Sequence, residues 1–125
     1  YWLEATFDGA ATPQASAPIG AWVGCCAGFA EVEALFYRLG VDGRGSIYWP
    51  MPFRSSVRLV LRHRGGLPRG RALLSIELDP RAPETGAAYL HAEHRDQLSR
   101  AGSDVLLFER AGRGKVVAVS LVGLT

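Results

Sequence analysis

The chain has 125 residues, 48% hydrophobic and 21% charged, the composition of one globular domain rather than of a disordered or fibrous chain. Fourteen basic against twelve acidic side chains leave a net charge of +2, and the arginines are scattered among glycines, so no nucleic-acid-binding face is expected. No stretch reaches the roughly 18 apolar residues of a membrane-spanning helix, so no membrane partner is expected either.

Residues 1–7 alternate aromatic or apolar with polar side chains, the period of a strand, and Asp8-Gly9 follows as a turn signal. Residues 10–17 are small and polar around Pro13 and read as a loop. Residues 18–24 are short and apolar, with Pro18 at the start where a strand accepts it, so an extended segment is expected. Cys25 and Cys26 are adjacent. On a strand they point to opposite faces, which disfavours a disulfide within the chain. Two adjacent cysteines not expected to form a disulfide within the chain, together with no recognisable secretory signal, suggest a reducing, cytoplasmic setting.

Residues 27–39 carry two patterns. Glu31-Val32-Glu33-Ala34-Leu35 has good helix propensity. Val32, Ala34 and Phe36 nevertheless alternate with Glu31, Glu33 and Leu35, and Phe36-Tyr37 favours strand. Set between Gly28 and Gly40, the segment is read as one strand. Asp42-Gly43 is a turn, and residues 43–49 are a hairpin return.

Tyr48-Trp49-Pro50-Met51-Pro52-Phe53 is the most constrained run. Each proline lacks an N–H and fixes its own φ, and each pushes the residue before it towards extended geometry. The run is a stiff corner carrying three large rings, and it feeds a strand at 56–63. There Val57, Leu59 and Leu61 share one face, and Arg58, Val60 and Arg62 the other.

Further strands are expected at 71–79 (Leu74, Ile76 and Leu78 on one face), 87–95 (Tyr89, His91 and Glu93 on one face), 104–110 and 115–122. Turns at 79–83 and 112–114 and a polar connector at 95–102 separate them. About eight to nine extended segments between Gly, Pro and Asp turns make an all-β chain, an antiparallel β-sandwich with little helix.

Reactive constellations are sparse. Glu31 and Glu33 share a strand face but read as a wet edge. Glu93 is the better acid, beside His91 and Tyr89 on one face. In His91-Ala92-Glu93-His94, His94 faces away, which leaves two convergent donors where zinc takes at least about three from the protein; no metal site is expected. No Gly-x-Ser-x-Gly elbow occurs, and Gly112-Arg113-Gly114-Lys115 lacks the spacing of a phosphate loop. No cofactor is implied.

The order of motifs carries more. Phe7-Asp8-Gly9, then Pro18-Ile19-Gly20-Ala21-Trp22-Val23-Gly24, then Trp49-Pro50-Met51-Pro52-Phe53-Arg54, then Tyr89-Leu90-His91-Ala92, then Gly112-Arg113-Gly114-Lys115-Val116-Val117 resembles glycoside hydrolase family 172. This is the difructose-anhydride synthase and D-arabinofuranosidase group, and the Pro-Met-Pro-Phe corner is the most specific element.

The resemblance implies two tandem jelly rolls, trimer-based homo-oligomers, and retaining chemistry on furanosides by two glutamates. Those glutamates lie in a Leu-Glu-Gly-Asp-Glu-like and a Gly-Thr-Glu-Asp-like stretch. Neither stretch occurs in residues 1–125, so the whole chain reads as one jelly-roll domain, the first of the two, with no catalytic residue of its own. The sequence departs from the family pattern at Trp22-Val23, Lys115 and Ala118.

The expected role is structural: oligomer contacts and one wall of a sugar pocket. The wall residues are Trp49, Phe53, Arg54, His91 and Glu93, since aromatic rings stack on sugar faces and Arg or His bond hydroxyls. Trp49 and Phe53 serve equally well as core. The alternative is a stand-alone sandwich that binds carbohydrate or a protein.

Overall fold

In the computed structural model the described residues are 1–25, 30–65 and 73–121. Six strands and one helical turn form among them: β1 (Trp2–Phe7), β2 (Ala15–Pro18), α1 (Ile19–Trp22), β3 (Val32–Ala34), β4 (Tyr37–Leu39), β5 (Gly45–Ile47) and β6 (Val57–Arg62). They make two three-stranded antiparallel sheets, ordered β2-β1-β6 and β3-β4-β5. The described chain is all-β with almost no helix.

β1 is central in the first sheet because its alternation is continuous. Leu3, Ala5 and Phe7 are buried on one face. The register carries that face across the sheet: Leu3 lies between Ala17 and Leu61, Ala5 between Ala15 and Leu59, and Phe7 opposite Val57. Phe7 is fully buried, which contributes about 1.5–3 kcal/mol.

On the other face of β1, Glu4 is also buried. It accepts from Arg62 Nε at 2.6 Å and Arg64 Nη2 at 2.9 Å. The Arg62 hydrogen bond above all holds its carboxyl below the usual range. The β1–β2 ladder stops at Ala5, and the Gln14 side chain then stands in for a strand. Phe7 N–H donates to Gln14 Oε1 at 3.0 Å, and Gln14 Nε2 donates to Phe7 O at 3.2 Å.

The structure differs from the sequence expectation in several places. The loop expected at 10–17 ends early, because Ala15 and Ala17 are small enough to bury against Ala5 and Leu3 as part of β2. The strand expected at 18–24 is the helical turn α1. Pro18, with φ −54°, caps its start and Trp22 packs inward. Gly24 stops it with φ +71°, at a place where an added Cβ would lie 2.5 Å from the Tyr37 ring.

The single strand expected at 27–39 is a hairpin. Ala34 pairs with Tyr37, so Leu35-Phe36 is a two-residue turn between β3 and β4; residues 26–29 lie outside the described residues. β5 is the expected return after Asp42-Gly43, pairing Ile47 with Tyr37.

The proline corner joins no ladder and leads into β6, as its chemistry dictates. Trp49, Met51 and Phe53 pack against the core, whereas Tyr48 is exposed. Trp49 stacks on Phe36 at 4.7 Å and Tyr37 at 6.1 Å, and its Nε1 donates to Trp22 O at 3.3 Å.

Among the described residues six strands form rather than eight to nine. Of those residues, 73–79, 104–110 and 115–121 enter no ladder; residues 71, 72 and 122 lie outside. Residues 87–95 contribute one parallel bridge, Ala92 to Ala15, with Ser16 N–H donating to Ala92 O at 3.0 Å. Alternation says which face of a segment is apolar. It does not say which backbone receives its hydrogen bonds.

Candidate functional site

Asp8 organises the end of the first sheet. With φ 51° it turns the chain at the end of β1, and Gly9 follows at φ 72°. This left-handed pair aims the Asp8 carboxylate at the corner before β6. Oδ1 accepts from Ser55 N at 2.7 Å, Ser56 N at 2.9 Å and Ser55 Oγ at 3.0 Å; Oδ2 accepts from Arg54 N at 2.9 Å. The Asp8 backbone N–H donates to Ser56 O at 2.8 Å. The corner thus finds a carboxylate for its amides where no strand is available. Those amides, Ser56 first, then Ser55 and Arg54, hold the Asp8 carboxyl well below the usual carboxylate range.

Tyr89 completes the arrangement. Its OH donates to Asp8 Oδ2 at 2.7 Å and accepts from Arg54 Nη1 at 2.9 Å. The hydrogen bond to Asp8, then burial, push the phenol above its usual pKa. The ring lies parallel to Phe7, centroids 5.9 Å apart, and the Arg54 guanidinium is 5.5 Å from its centroid.

An open cavity of about 390 Å³ sits here. Pro52, Phe53, Arg54 and Tyr89 line one side. The other side is residues 82–87, closed by Ala87 N–H donating to Glu84 O at 2.9 Å, with Gly86 at φ 85° as the turn requires. The lining combines two aromatic rings (Phe53 and Tyr89), two prolines, one guanidinium and one carboxylate (Glu84). Such a surface can stack on a C–H face and bond hydroxyls from both signs of charge.

The five residues expected at a sugar wall fall in three places. Phe53 and Arg54 line the cavity. Trp49 lies against Phe36 and Tyr37. His91 and Glu93 meet at Arg110: Arg110 Nη2 donates to His91 Nδ1 at 3.1 Å and lies 3.5 Å from Glu93 Oε1, and Arg95 is 3.5 Å from Glu93 Oε2. Because arginine only donates, the His91 proton sits on Nε2. His94 turns to the Trp2 ring, 5.6 Å away. Among the described residues no three His, Cys, Asp or Glu side chains converge, and no helix is long and apolar enough to cross a membrane.

Sequence reasoning marked Asp8-Gly9 as a turn, and missed Asp8, Tyr89 and Glu84 as site residues. Asp-Gly at the end of an alternating strand was the available signal for Asp8. Tyr89 stands in the Tyr89-Leu90-His91-Ala92 motif, but it lies 81 residues from Asp8 and nothing local shows that the two meet.

Comparison with known proteins gives one family. The model of the GH172 domain-like family matches residues 1–75, three fifths of the chain, which takes in β1 to β6, Asp8 and the proline corner. No curated protein and no solved structure matches.

Proposed function

The chain belongs to the GH172 domain-like family, and on that premise we propose that it is a non-catalytic jelly-roll part of a furanoside-active glycoside hydrolase. It supplies one wall of the sugar pocket and contacts between copies. The observation that carries this reading is the cavity beside the proline corner, with Phe53 and Arg54 on one side and Glu84 on the other. Phe53 stacks on the furanose, and Arg54 and Glu84 bond its hydroxyls. Trp49, His91 and Glu93 stand outside that lining and belong to the wall through the larger surface around it.

Two of the better-placed carboxylates are already committed, Glu4 to Arg62 and Arg64, and Asp8 to three amides and a phenol. Acid–base work on a sugar needs a carboxyl free to exchange its proton, which Glu4 and Asp8 do not offer; in this reading the reacting glutamates lie in the neighbouring jelly roll, as the family resemblance implies. On the same reading the full sandwich, of about eight to nine strands, forms when the described residues 73–79, 104–110 and 115–121 gain partners. Their exposed Leu74, Ile76, Leu78, Val105, Leu107, Val117 and Val119 support that reading and the trimer-based assembly.

The test is hydrolysis of an aryl arabinofuranoside by this chain, alongside binding of methyl arabinofuranoside. Binding without turnover is expected. Turnover abolished by Glu93→Gln overturns the non-catalytic role.

A further inference from the structure

Arg54 is an exposed cation whose position is fixed from the buried core outwards. Asp8 carries only acceptors, and its carboxyl is held ionised by the Arg54, Ser55 and Ser56 amides. The single Tyr89 hydroxyl proton is therefore committed to Asp8 Oδ2 at 2.7 Å. That leaves the phenol oxygen as an acceptor, and Arg54 Nη1, which can only donate, meets it at 2.9 Å. The direction of the chain is thus set: Arg54 to Tyr89 to Asp8. The Tyr89 ring cannot swing away without leaving Phe7, on which it lies at 8° between planes and which is 1% exposed. The same Asp8 carboxylate fixes the Arg54 backbone amide at 2.9 Å. One acid therefore anchors both ends of the Arg54 residue.

We propose that Asp8 and Tyr89 are positioning residues that hold the Arg54 guanidinium pre-ordered at the rim of the cavity, its remaining N–H donors available to ligand hydroxyls. The proposal rests on the reading of that cavity as a sugar wall. A free arginine loses side-chain freedom when it closes on a ligand, and here that loss has already been taken in folding. Asp8 also offsets the Arg54 charge through Tyr89, which favours an uncharged polyol over an anion at this wall.

The experiment is an Arg Nε–Hε NMR spectrum of the full chain, wild type, Tyr89→Phe and Asp8→Asn, each titrated with methyl α-D-arabinofuranoside. In the wild type the Arg54 resonance is expected apart from those of exposed arginines and slow to exchange. Tyr89→Phe keeps the ring on Phe7 and removes only the oxygen. It is expected to return Arg54 to the bulk position, leave the Leu3 and Val57 methyl signals in place, and weaken the probe about tenfold, the loss of one charge-assisted hydrogen bond. An Arg54 resonance that is the same in Tyr89→Phe and wild type overturns the proposal even if Asp8→Asn fails to fold. An Arg54 resonance that moves in Tyr89→Phe, in a wild type that does not bind the probe, supports the positioning role and removes the sugar reading instead.

Discussion

The Asp8 carboxylate accepts the Ser55 amide at 2.7 Å across 47 residues of sequence. This one contact ties the end of β1 to the corner that precedes β6, and the β1–β6 ladder of Trp2–Arg62 through Phe7–Val57 runs back from it. The cavity wall at Phe53 and Arg54 is built on that junction.

Acid is expected to loosen the junction. The folded-state pKa of Asp8 is depressed, so its contribution is complete above the unfolded value of about 3.9 and is lost as pH falls through the folded value. Glu4, depressed first by its Arg62 hydrogen bond, acts in the same direction. Asp79, held at about 2 by Arg81, contributes less because its partner is two residues away and persists in the unfolded chain. Thermal midpoints measured from pH 7 down to about 2 are expected to be level at first and to fall below about pH 4. Asp8→Asn is expected to start lower and fall less steeply. An Asp8→Asn profile parallel to the wild type would contradict this.

Gly24 and Gly9 separate backbone strain from collision. Both have positive φ, +71° and +72°. Alanine at Gly9 meets nothing within 4 Å and is expected to cost about 1–2 kcal/mol from the left-handed backbone alone. At Gly24 a Cβ would also lie 2.5 Å from Tyr37 Cε2, a rigid ring that itself faces Trp49. Gly24→Ala is therefore expected to be the more damaging of the two in urea denaturation. Equal losses would mean that Tyr37 moves freely aside.

Trp49 is expected to behave as a bracket. Trp49→Phe keeps a ring against Phe36 and removes the 3.3 Å bond to Trp22 O, at a cost of about 0.5–1.5 kcal/mol. Trp49→Ala is expected to cost more and to expose Trp22, visible as a red-shifted fluorescence. A Trp49→Ala protein that is as stable as Trp49→Phe would show that the stacking contributes nothing.

The exposed apolar rows at 73–78 and 105–119 are expected to drive self-association. Light scattering during chromatography at rising concentration is expected to show oligomers, and Val117→Lys with Val119→Lys to reduce them. A monomer at high concentration contradicts the proposed contacts between copies.

β1 and β6 were legible because each alternates without a break and each presents its apolar set to the other. The rigid corner was legible because proline chemistry is local. The β3–β4 turn was not: Leu35-Phe36 carries neither glycine nor a positive φ, so nothing at those positions marks a reversal. α1 is four residues long, too short for a helical period to show. The cavity itself depends on Tyr89 reaching Asp8 across 81 residues, a tertiary event that no spacing encodes.

The central claim is that the cavity between the proline corner and residues 82–87 receives a furanose. Backbone amide NMR shifts of the wild-type chain, followed during titration with methyl α-D-arabinofuranoside, test it most directly. Saturable shifts are expected at Phe53, Arg54, Ser55, Glu84, Thr85 and Gly86, and no shifts in β3 to β5. Shifts confined to β3–β5, or none at saturating sugar, would contradict it.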